Sequence, residues 1–328
     1  MNSKLKNMLA SLHLLDAQTY KNITVFPLAF PGNGAPHYLT LGEAIEGGFL
    51  VVTEVSQGGS VPELKVINRA SQPVLLMDGE ELVGAKQNRA MNTSILLKEN
   101  SETTIPVSCT EHGRWSHVSP AFADSGVVMA HKSRARKSRS VSESLSGGGE
   151  YASNQGEVWA NISALLKKAQ TSSATEAMRD VFEARQTELA QSIQIFSPQP
   201  SQNGLLVLID GEVAGLDFVS SPEAYLKLHA KLLKSYIIEA LVEPKPVPIE
   251  PGQAKAKAEA FLQEAAQCEE KEFPSGGYGV DVRFQKQGIA GTALVYGDVV
   301  HSALFRLPTQ QTAPEMAPLR SRRRFIME

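Results

Sequence analysis

This chain has few cysteines, little excess of charge of either sign and no long apolar run. Its 328 residues include only two cysteines, Cys109 and Cys268, which are too few for a disulfide framework. The formal net charge of -3 at pH 7 argues against nucleic acid and acidic membrane surfaces as partners. No apolar run of about 18 residues occurs, and the mixed N-terminal segment lacks the pattern of a signal peptide. These absences predict a soluble, cytoplasmic protein without a membrane segment.

Recognised catalytic signatures are missing as well. The sequence contains no G-x-S-x-G motif, no Walker loop, no H-E-x-x-H and no G-x-G-x-x-G after a predicted strand. Cys109 and His112 have the spacing C-x-x-H, but two ligands do not make a metal site and no second Cys/His pair lies nearby. A metal site is therefore not predicted, and the sequence names no cofactor.

Short β-type segments separated by turn residues dominate the first half of the chain. Runs rich in valine, isoleucine and threonine recur between Ile23 and Cys109, with Gly, Pro, Asn and Ser between them. This spacing predicts a β-rich domain over residues 20–130 with a sandwich-like or barrel-like form. Residues 155–307 combine helical periodicity with further strands, which predicts an α+β domain of helices packed on an antiparallel sheet. The predicted fold class of the chain is therefore α+β.

Two further segments complete the predicted organisation. Residues 131–154 begin with five cations and no acid between them, and a tract rich in serine and glycine follows. We interpret this segment as a basic linker or loop, because a charge run is usually solvated. The alternative is that the cations contact phosphate groups or RNA. The arginine-rich tail over residues 308–328 is predicted to be disordered.

The sequence DGEELVGAKQNR, residues 78–89, begins with a turn signal and ends in an unusual polar run. Asp78-Gly79 between apolar segments is typical of a two-residue β-hairpin turn, in which Asp78 would tolerate a positive φ. After that turn, residues 86–89 would place hydrogen-bonding side chains on both faces of a strand. Neither face could enter an apolar core without unpaired polar groups, each costing about 1–3 kcal/mol.

Two interpretations of this polar run stay open. In the first, Lys86 and Arg89 bind an anionic group, while Gln87 and Asn88 recognise hydroxyl or amide groups of the same ligand. In the second, these side chains form a structural polar network or a solvated edge strand. Gly84, directly before the run, would let a ligand approach the backbone closely.

A second polar cluster occurs in CTEHGRW, residues 109–115. Glu111 and His112 could act as a general acid and base, since histidine titrates near neutral pH. Arg114 and Trp115 could stack on a base or a ribose through a cation–π contact. The alternatives are a loop histidine without a role and a tryptophan that only anchors the loop.

Several motifs together resemble a known family. The strings DGEELVGAKQNR, IPVSCTEHGRW and NQGEVWANI, with the closing GYGVDVRF and ALVYGDVVHSALF, are similar to the ARG and rhodanese-phosphatase-superfamily-associated protein domain family. ARG denotes ADP-ribosylglycohydrolase, and the likeness extends over residues 20–306. The family is functionally uncharacterised, but its name implies a place in NAD- or ADP-ribose-linked metabolism and partners in an ADP-ribosylglycohydrolase- or phosphatase-linked pathway. Glutamine is also expected at the position of His112 in relatives, which argues against an obligatory catalytic histidine.

Three hypotheses for the function follow. The first is binding of a phosphorylated nucleotide-type ligand, such as ADP-ribose or an NAD-related molecule, by residues 86–89 with Trp115. The second is a hydrolase or transferase that acts on the same ligand class, with Glu80, Glu81 or His112 in acid–base catalysis. The third is a scaffold whose polar segments form a buried network between the two domains. Binding ranks first, and whether the chain is an enzyme stays open.

Overall fold

The computed structural model describes residues 3–32, 37–243 and 250–307, so that the predicted tail over 308–328 lies outside the described residues. Within these ranges the helices are α1 (Ser3–Ser11), α2 (Leu41–Glu46), α3 (His131–Ser146), α4 (Gln155–Ala169), α5 (Arg179–Ala184), α6 (Gln186–Ile195), α7 (Pro222–Val242) and α8 (Pro251–Ala265). The first strands are β1 (His13–Leu14), β2 (Gln18–Tyr20), β3 (Ile23–Ala29), β4 (Leu39–Thr40), β5 (Leu50–Glu54), β6 (Glu63–Asn68), β7 (Val74–Leu76), β8 (Glu80–Gly84) and β9 (Arg89–Met91). They are followed by β10 (Ile95–Leu97), β11 (Ser101–Cys109), β12 (Phe122–Val128), β13 (Gln202–Ile209), β14 (Glu212–Val219), β15 (Glu269–Pro274), β16 (Val280–Lys286), β17 (Ile289–Tyr296) and β18 (Asp298–Arg306).

The strands form three sheets in the described part of the chain. The largest has nine strands in the order β1-β3-β13-β14-β18-β17-β16-β15, with β2 also paired to β3. A six-stranded sheet has the order β12-β8-β9-β11-β6-β5, and a three-stranded sheet has the order β10-β7-β4. The described pairs are antiparallel, apart from β4 with β7. This mixture of helices and mainly antiparallel strands confirms the predicted α+β class.

The large sheet is buried on both faces, which explains the continuous apolar run LLVLI in β13. On one face, Leu205 and Val207 share a core cluster with residues of α4 and α7. On the other face, Leu206 and Leu208 share a core cluster with residues of α1 and α8. Strand β3 comes from the predicted β-rich half, and it pairs with β13 with Val25 opposite Val207. Strands from both halves of the chain therefore belong to one sheet.

Helix α7 begins where the sequence indicates. The hydroxyl of Ser221 accepts a hydrogen bond from the backbone N–H of Ala224 at 3.1 Å, which caps the helix. Pro222 occupies the first turn, where no backbone donor is needed. The helix packs against β12 and β13, so its side chains reach both the six-stranded and the nine-stranded sheet. Within the described ranges, no helix combines the length and apolarity needed to cross a membrane.

Residues 131–146 form helix α3, where the sequence predicts the start of a basic linker. Arg134 and Lys137 on this helix are fully buried. The linker prediction is wrong for these residues because their cations are neutralised in the interior. Lys137 binds Asp78, 59 positions away, and Arg134 binds Asp217, 83 positions away. Partners at such distances leave no signal in the local sequence.

Asp78-Gly79 forms a turn, but not the predicted hairpin. The N–H of Glu80 donates to the carbonyl of Met77 at 3.1 Å, and only Gly79 has a positive φ, of 82°. Strand β7 before the turn pairs with β10 and β4, whereas β8 after it pairs with β9 and β12. The turn therefore leads the chain from the three-stranded sheet into the six-stranded sheet.

The polar run of the motif lies in a hairpin turn instead of a strand. Strand β8 ends at Gly84, β9 begins at Arg89, and the two pair with Leu82 opposite Arg89. Ala85 opens the turn with a φ of 41°. Residues 86–88 therefore do not alternate between the two faces of a strand. The expectation that they form two polar strand faces is wrong.

Replacing Arg134 with methionine should destabilise the protein by about 3–5 kcal/mol, because Asp78 and Asp217 would lose a buried partner. Arg139→Met, on the exposed side of the same helix, should change the free energy of unfolding by less than about 0.5 kcal/mol. Urea unfolding measures both variants. Equally small effects of the two substitutions would contradict the buried position of Arg134.

Candidate functional site

Asp78, the first acid of the DGEELVGAKQNR motif, belongs to a buried ionic network. Its buried carboxylate binds the ammonium group of Lys137 and lies 3.8 Å from Nε of Arg134. Arg134 makes a bidentate ion pair with Asp217 of β14, at 3.0 and 2.7 Å. The hydroxyl of Tyr236 donates to the same carboxylate at 2.8 Å. The network thus joins the turn before β8, helix α3 and the large sheet.

The pKa of Asp217 reflects the strength of these contacts. Burial alone would raise the pKa of this carboxyl, but Arg134 and His301, whose Nε2 lies 3.7 Å from Oδ1 of Asp217, outweigh burial and hold the pKa well below its usual range. Nδ1 of His301 contacts the hydroxyl of Ser94 at 2.8 Å. That hydroxyl accepts a hydrogen bond from the N–H of Asp78 at 2.9 Å, so Ser94 and His301 form a second connection between Asp78 and Asp217.

Glu80 lies in a second buried ionic cluster. One carboxylate oxygen accepts from the N–H of Met77 and the other from Nζ of Lys231, both at 2.8 Å. Lys231 of α7 also contacts Asp124 of β12 at 2.6 Å. Burial lowers the pKa of Lys231, but the two carboxylates outweigh burial and raise it. Both oxygens of the predicted catalytic Glu80 are thus engaged by partners within the fold.

Glu81 lies on the opposite face of the β8–β9 hairpin from Arg89. It is paired with Ala90, whereas Leu82 is paired with Arg89, and successive strand residues alternate between faces. Oε1 accepts from the hydroxyl of Thr110 at 2.6 Å, and Oε2 has no hydrogen-bond partner within the described residues. Burial raises the pKa of Glu81 to about 7, although the bond from Thr110 lowers it. This carboxyl can exchange a proton near neutral pH, but it has no exposed surface.

Arg89 is fully buried and lacks a full set of partners. Nη1 donates to Oε1 of Gln87 at 3.0 Å and to the carbonyl of Asn88 at 3.4 Å. Nε and Nη2 have no hydrogen-bond partner among the described residues, carboxylates included. Burial lowers the pKa of this guanidinium, while Cys109, its cross-strand neighbour on β11, and Glu54 raise it. The edge of the guanidinium formed by Nε and Nη2 is therefore buried but has no hydrogen-bond acceptor.

Trp115, Lys86 and Glu54 complete the surroundings of Arg89. The indole of Trp115 is 47% exposed, and its ring centre lies 5.5 Å from the guanidinium carbon of Arg89 and 5.3 Å from Nζ of Lys86. Nζ of Lys86 donates to the carbonyl of Gly58 at 2.5 Å. Glu54 accepts from the N–H of Lys86 at 3.3 Å. We call Arg89, Lys86, Trp115 and Glu54 the Arg89 site.

Arg114 fastens the CTEHGRW segment to the hairpin turn. Its guanidinium binds both carboxylate oxygens of Glu111, at 2.9 and 2.6 Å, and Oδ1 of Asn88 at 3.1 Å. It also donates to the carbonyl of Ala85 at 2.8 Å. The fold thus brings together all six residues predicted to bind a ligand: Lys86, Gln87, Asn88, Arg89, Arg114 and Trp115.

The three predicted catalytic residues do not meet. Nδ1 of His112 lies 3.4 Å from the carboxylate of Glu176, and its ring centre lies 4.3 Å from that of Trp159. Glu80 and Glu81 have the separate surroundings given above. In the part of the chain that the structure describes, no three His, Cys, Asp or Glu side chains cluster as a metal site requires.

Sequence reasoning missed Glu54 and the partners of the motif acids. Glu54 ends a largely apolar strand, four positions before Gly58-Gly59. A carboxylate at the end of a strand, close to a glycine pair in a loop, could have indicated a functional residue. Lys231 binds Glu80, which lies 151 positions earlier in the sequence. The residues near either one therefore give no signal for this contact.

The fold and these clusters define a mixed α+β protein whose Arg89 site is built on strands β5, β8, β9 and β11 of the six-stranded sheet. The chain belongs to the ARG and Rhodanese-Phosphatase-superfamily-associated Protein domain family, whose model matches residues 11–305. This match confirms the resemblance seen in the motifs. No curated protein and no solved structure matches the chain significantly. The family name records an association with other protein classes and assigns no reaction.

Glu81→Gln should make the stability of the protein less dependent on pH. The folded-state pKa of about 7, against 4.5 for the ordinary group, means that ionisation opposes folding as the pH rises through this interval. The free energy of unfolding of the wild-type protein should therefore fall by about 3 kcal/mol relative to that of the variant as the pH rises from 4.5 to about 7. Urea unfolding across the interval measures the difference.

The matched control for this prediction is Glu102→Gln, which makes the same change at an exposed position of β11. This control should leave the pH profile unchanged. A Glu81→Gln profile that coincides with the wild-type profile would rule out a raised pKa at Glu81.

Proposed function

We propose that this protein binds a phosphorylated, nucleotide-type small molecule at the Arg89 site. The observation that carries the proposal is the fully buried guanidinium of Arg89, whose Nε and Nη2 lack a partner in the described structure. A buried charge without a partner costs several kcal/mol, and native proteins leave few such groups unsatisfied. Nε and Nη2 form one edge of the planar guanidinium, and two oxygens of a phosphate match that edge.

Trp115 and Lys86 supply the other features that such a ligand needs. An indole face stacks on bases and sugars, and the half-exposed Trp115 lies directly against the two cations. Lys86 adds a second positive charge at the ring of Trp115, and Oε1 of Gln87 accepts a hydrogen bond from Nη1 of Arg89 and so orients the guanidinium. The association of the family with ADP-ribosylglycohydrolase favours ADP-ribose or an NAD-related molecule as the ligand.

An architectural role for the first part of the motif is favoured by a separate observation. The carboxylates of Asp78 and Glu80 are engaged by Lys137 of α3 and Lys231 of α7. We propose that these two acids hold the helices and sheets in position and take no part in ligand binding. The scaffold hypothesis then applies to the start of the motif, and the binding hypothesis to its end.

A hydrolase or transferase activity on the same ligand class has weaker support. Glu81 has the raised pKa of an acid–base group, but it lies on the opposite hairpin face from Arg89. His112 contacts Glu176 and Trp159 instead of the Arg89 site. Binding without turnover is therefore the function that we propose first.

ADP-ribose should raise the free energy of unfolding of the wild-type protein by about 2.7 kcal/mol at 100 times its dissociation constant. Thermal unfolding measures this shift, and NAD, ADP and inorganic phosphate in the same panel show which part of the ligand is bound. Arg89→Met should abolish the shift, because methionine keeps an apolar stem but offers no donor. The variant should not destabilise the free protein, since Arg89 lacks a full set of partners.

Lys65→Met is the matched control for this experiment. It removes a cation from strand β6, whose partner Glu102 is exposed, and should leave the ligand shift intact. Absence of a shift with all four compounds, together with strong destabilisation by Arg89→Met, would contradict the proposal and make Arg89 part of the architecture.

Ligand entry should move Trp115, because Arg89 has no exposed surface and the indole lies 5.5 Å from it. In a Trp159→Phe variant, Trp115 is the only tryptophan of the chain, so the fluorescence emission reports this site alone. The emission should change on titration with ADP-ribose, and Trp115→Phe should show no such change from Trp159. A ligand that stabilises the protein without altering Trp115 emission would place binding elsewhere.

A further inference from the structure

Glu54 is a second residue of the Arg89 site without a full set of partners, and its side chain is partly buried. Its Oε1 accepts from the N–H of Lys86, whereas Oε2 is buried and has no partner in the described structure. A Cβ atom added at Gly59 would lie 3.2 Å from Oε2 of Glu54, 3.2 Å from Cδ of Lys86 and 3.4 Å from the indole of Trp115. Glu54, Lys86 and Trp115 therefore converge at this glycine.

Arg89 and Glu54 leave an unpaired donor edge and an unpaired acceptor that both lie near the indole of Trp115. Elsewhere in this fold a buried arginine closes a bidentate pair with its acid, as Arg134 does with Asp217. At the Arg89 site, by contrast, no hydrogen bond joins Nε or Nη2 of Arg89 to Oε2 of Glu54. The closed Arg134–Asp217 pair needs no ligand, whereas a ligand can satisfy the unpaired atoms of Arg89 and Glu54.

We infer that Glu54 sets the specificity of the Arg89 site by accepting a hydrogen bond from a sugar hydroxyl of the ligand whose phosphate binds Arg89. This inference rests on the proposed function and names its ligand class as phosphorylated sugars, the ribose phosphate of a nucleotide included. The hydroxyl donates to Oε2 while the phosphate oxygens accept from Nε and Nη2, so a sugar phosphate satisfies both open groups. Inorganic phosphate satisfies Arg89 alone and is repelled by the charge of Glu54.

Titration calorimetry of the full chain with ribose 5-phosphate and with inorganic phosphate tests the inference. The wild-type protein should bind ribose 5-phosphate about 10- to 100-fold more tightly, the factor that a hydrogen bond to a charged acceptor contributes. Glu54→Gln keeps the size of the side chain but removes its charge. The variant should bind ribose 5-phosphate about 10-fold more weakly and phosphate at least as tightly as wild type.

Glu102→Gln is the matched control, because it makes the same chemical change at an exposed position, and it should leave both affinities unchanged. Equal wild-type affinities for the two compounds would overturn the role of Glu54, whether or not the variant folds, and would leave phosphate binding at Arg89 intact. An unchanged preference in a folded Glu54→Gln protein would also overturn it. Failure of both compounds and of ADP-ribose to bind would remove the proposed function itself.

Discussion

Arg134 lies fully buried between two carboxylates that come from different sheets. Asp217 belongs to β14 of the nine-stranded sheet, and Asp78 follows β7 of the three-stranded sheet. A buried ionic contact adds little net stability, but an arrangement that separated the partners would leave uncompensated charges in the interior. The contact therefore selects one position for helix α3 and one path for the chain into β8. That path in turn determines where the hairpin turn and Arg89 lie.

The β8–β9 hairpin keeps two unusual side chains apart. Glu81, whose pKa is raised to about 7, lies on one face, and Arg89, with its open donor edge, lies on the other. On the same face the two groups could neutralise each other, and neither would be available to a ligand or a proton. Strand alternation is thus enough to maintain two incompletely paired groups within a few residues of each other.

Features that depend on neighbours in sequence could be predicted, and those that depend on distant partners could not. The start of α7 follows from Ser221 and Pro222, which act within one helical turn, and the β13–β14 hairpin follows from the Asp210-Gly211 turn between apolar runs. The grouping of residues 86–89 with Trp115 was also accessible, because cations and amides in one motif and an indole in the other suit the same kind of ligand. The burial of Arg134 was not, since its acid lies 83 positions away. Similarly, Asp78-Gly79 is a correct turn signal that does not reveal which strands pair on either side of it.

The position of β3 in the large sheet has a consequence for synthesis on the ribosome. Asn22, just before this strand, bonds Asp210, which is 188 positions later, and β3 pairs with β13 in the same region. At about 5–20 residues per second, that partner emerges roughly 10–40 s after β3. Until then the apolar strand ITVFPLA exposes a row of backbone groups that any other extended chain can pair with. A chain truncated before β13 would keep this edge of β3 unpaired, and we therefore expect it to aggregate more readily than the full chain.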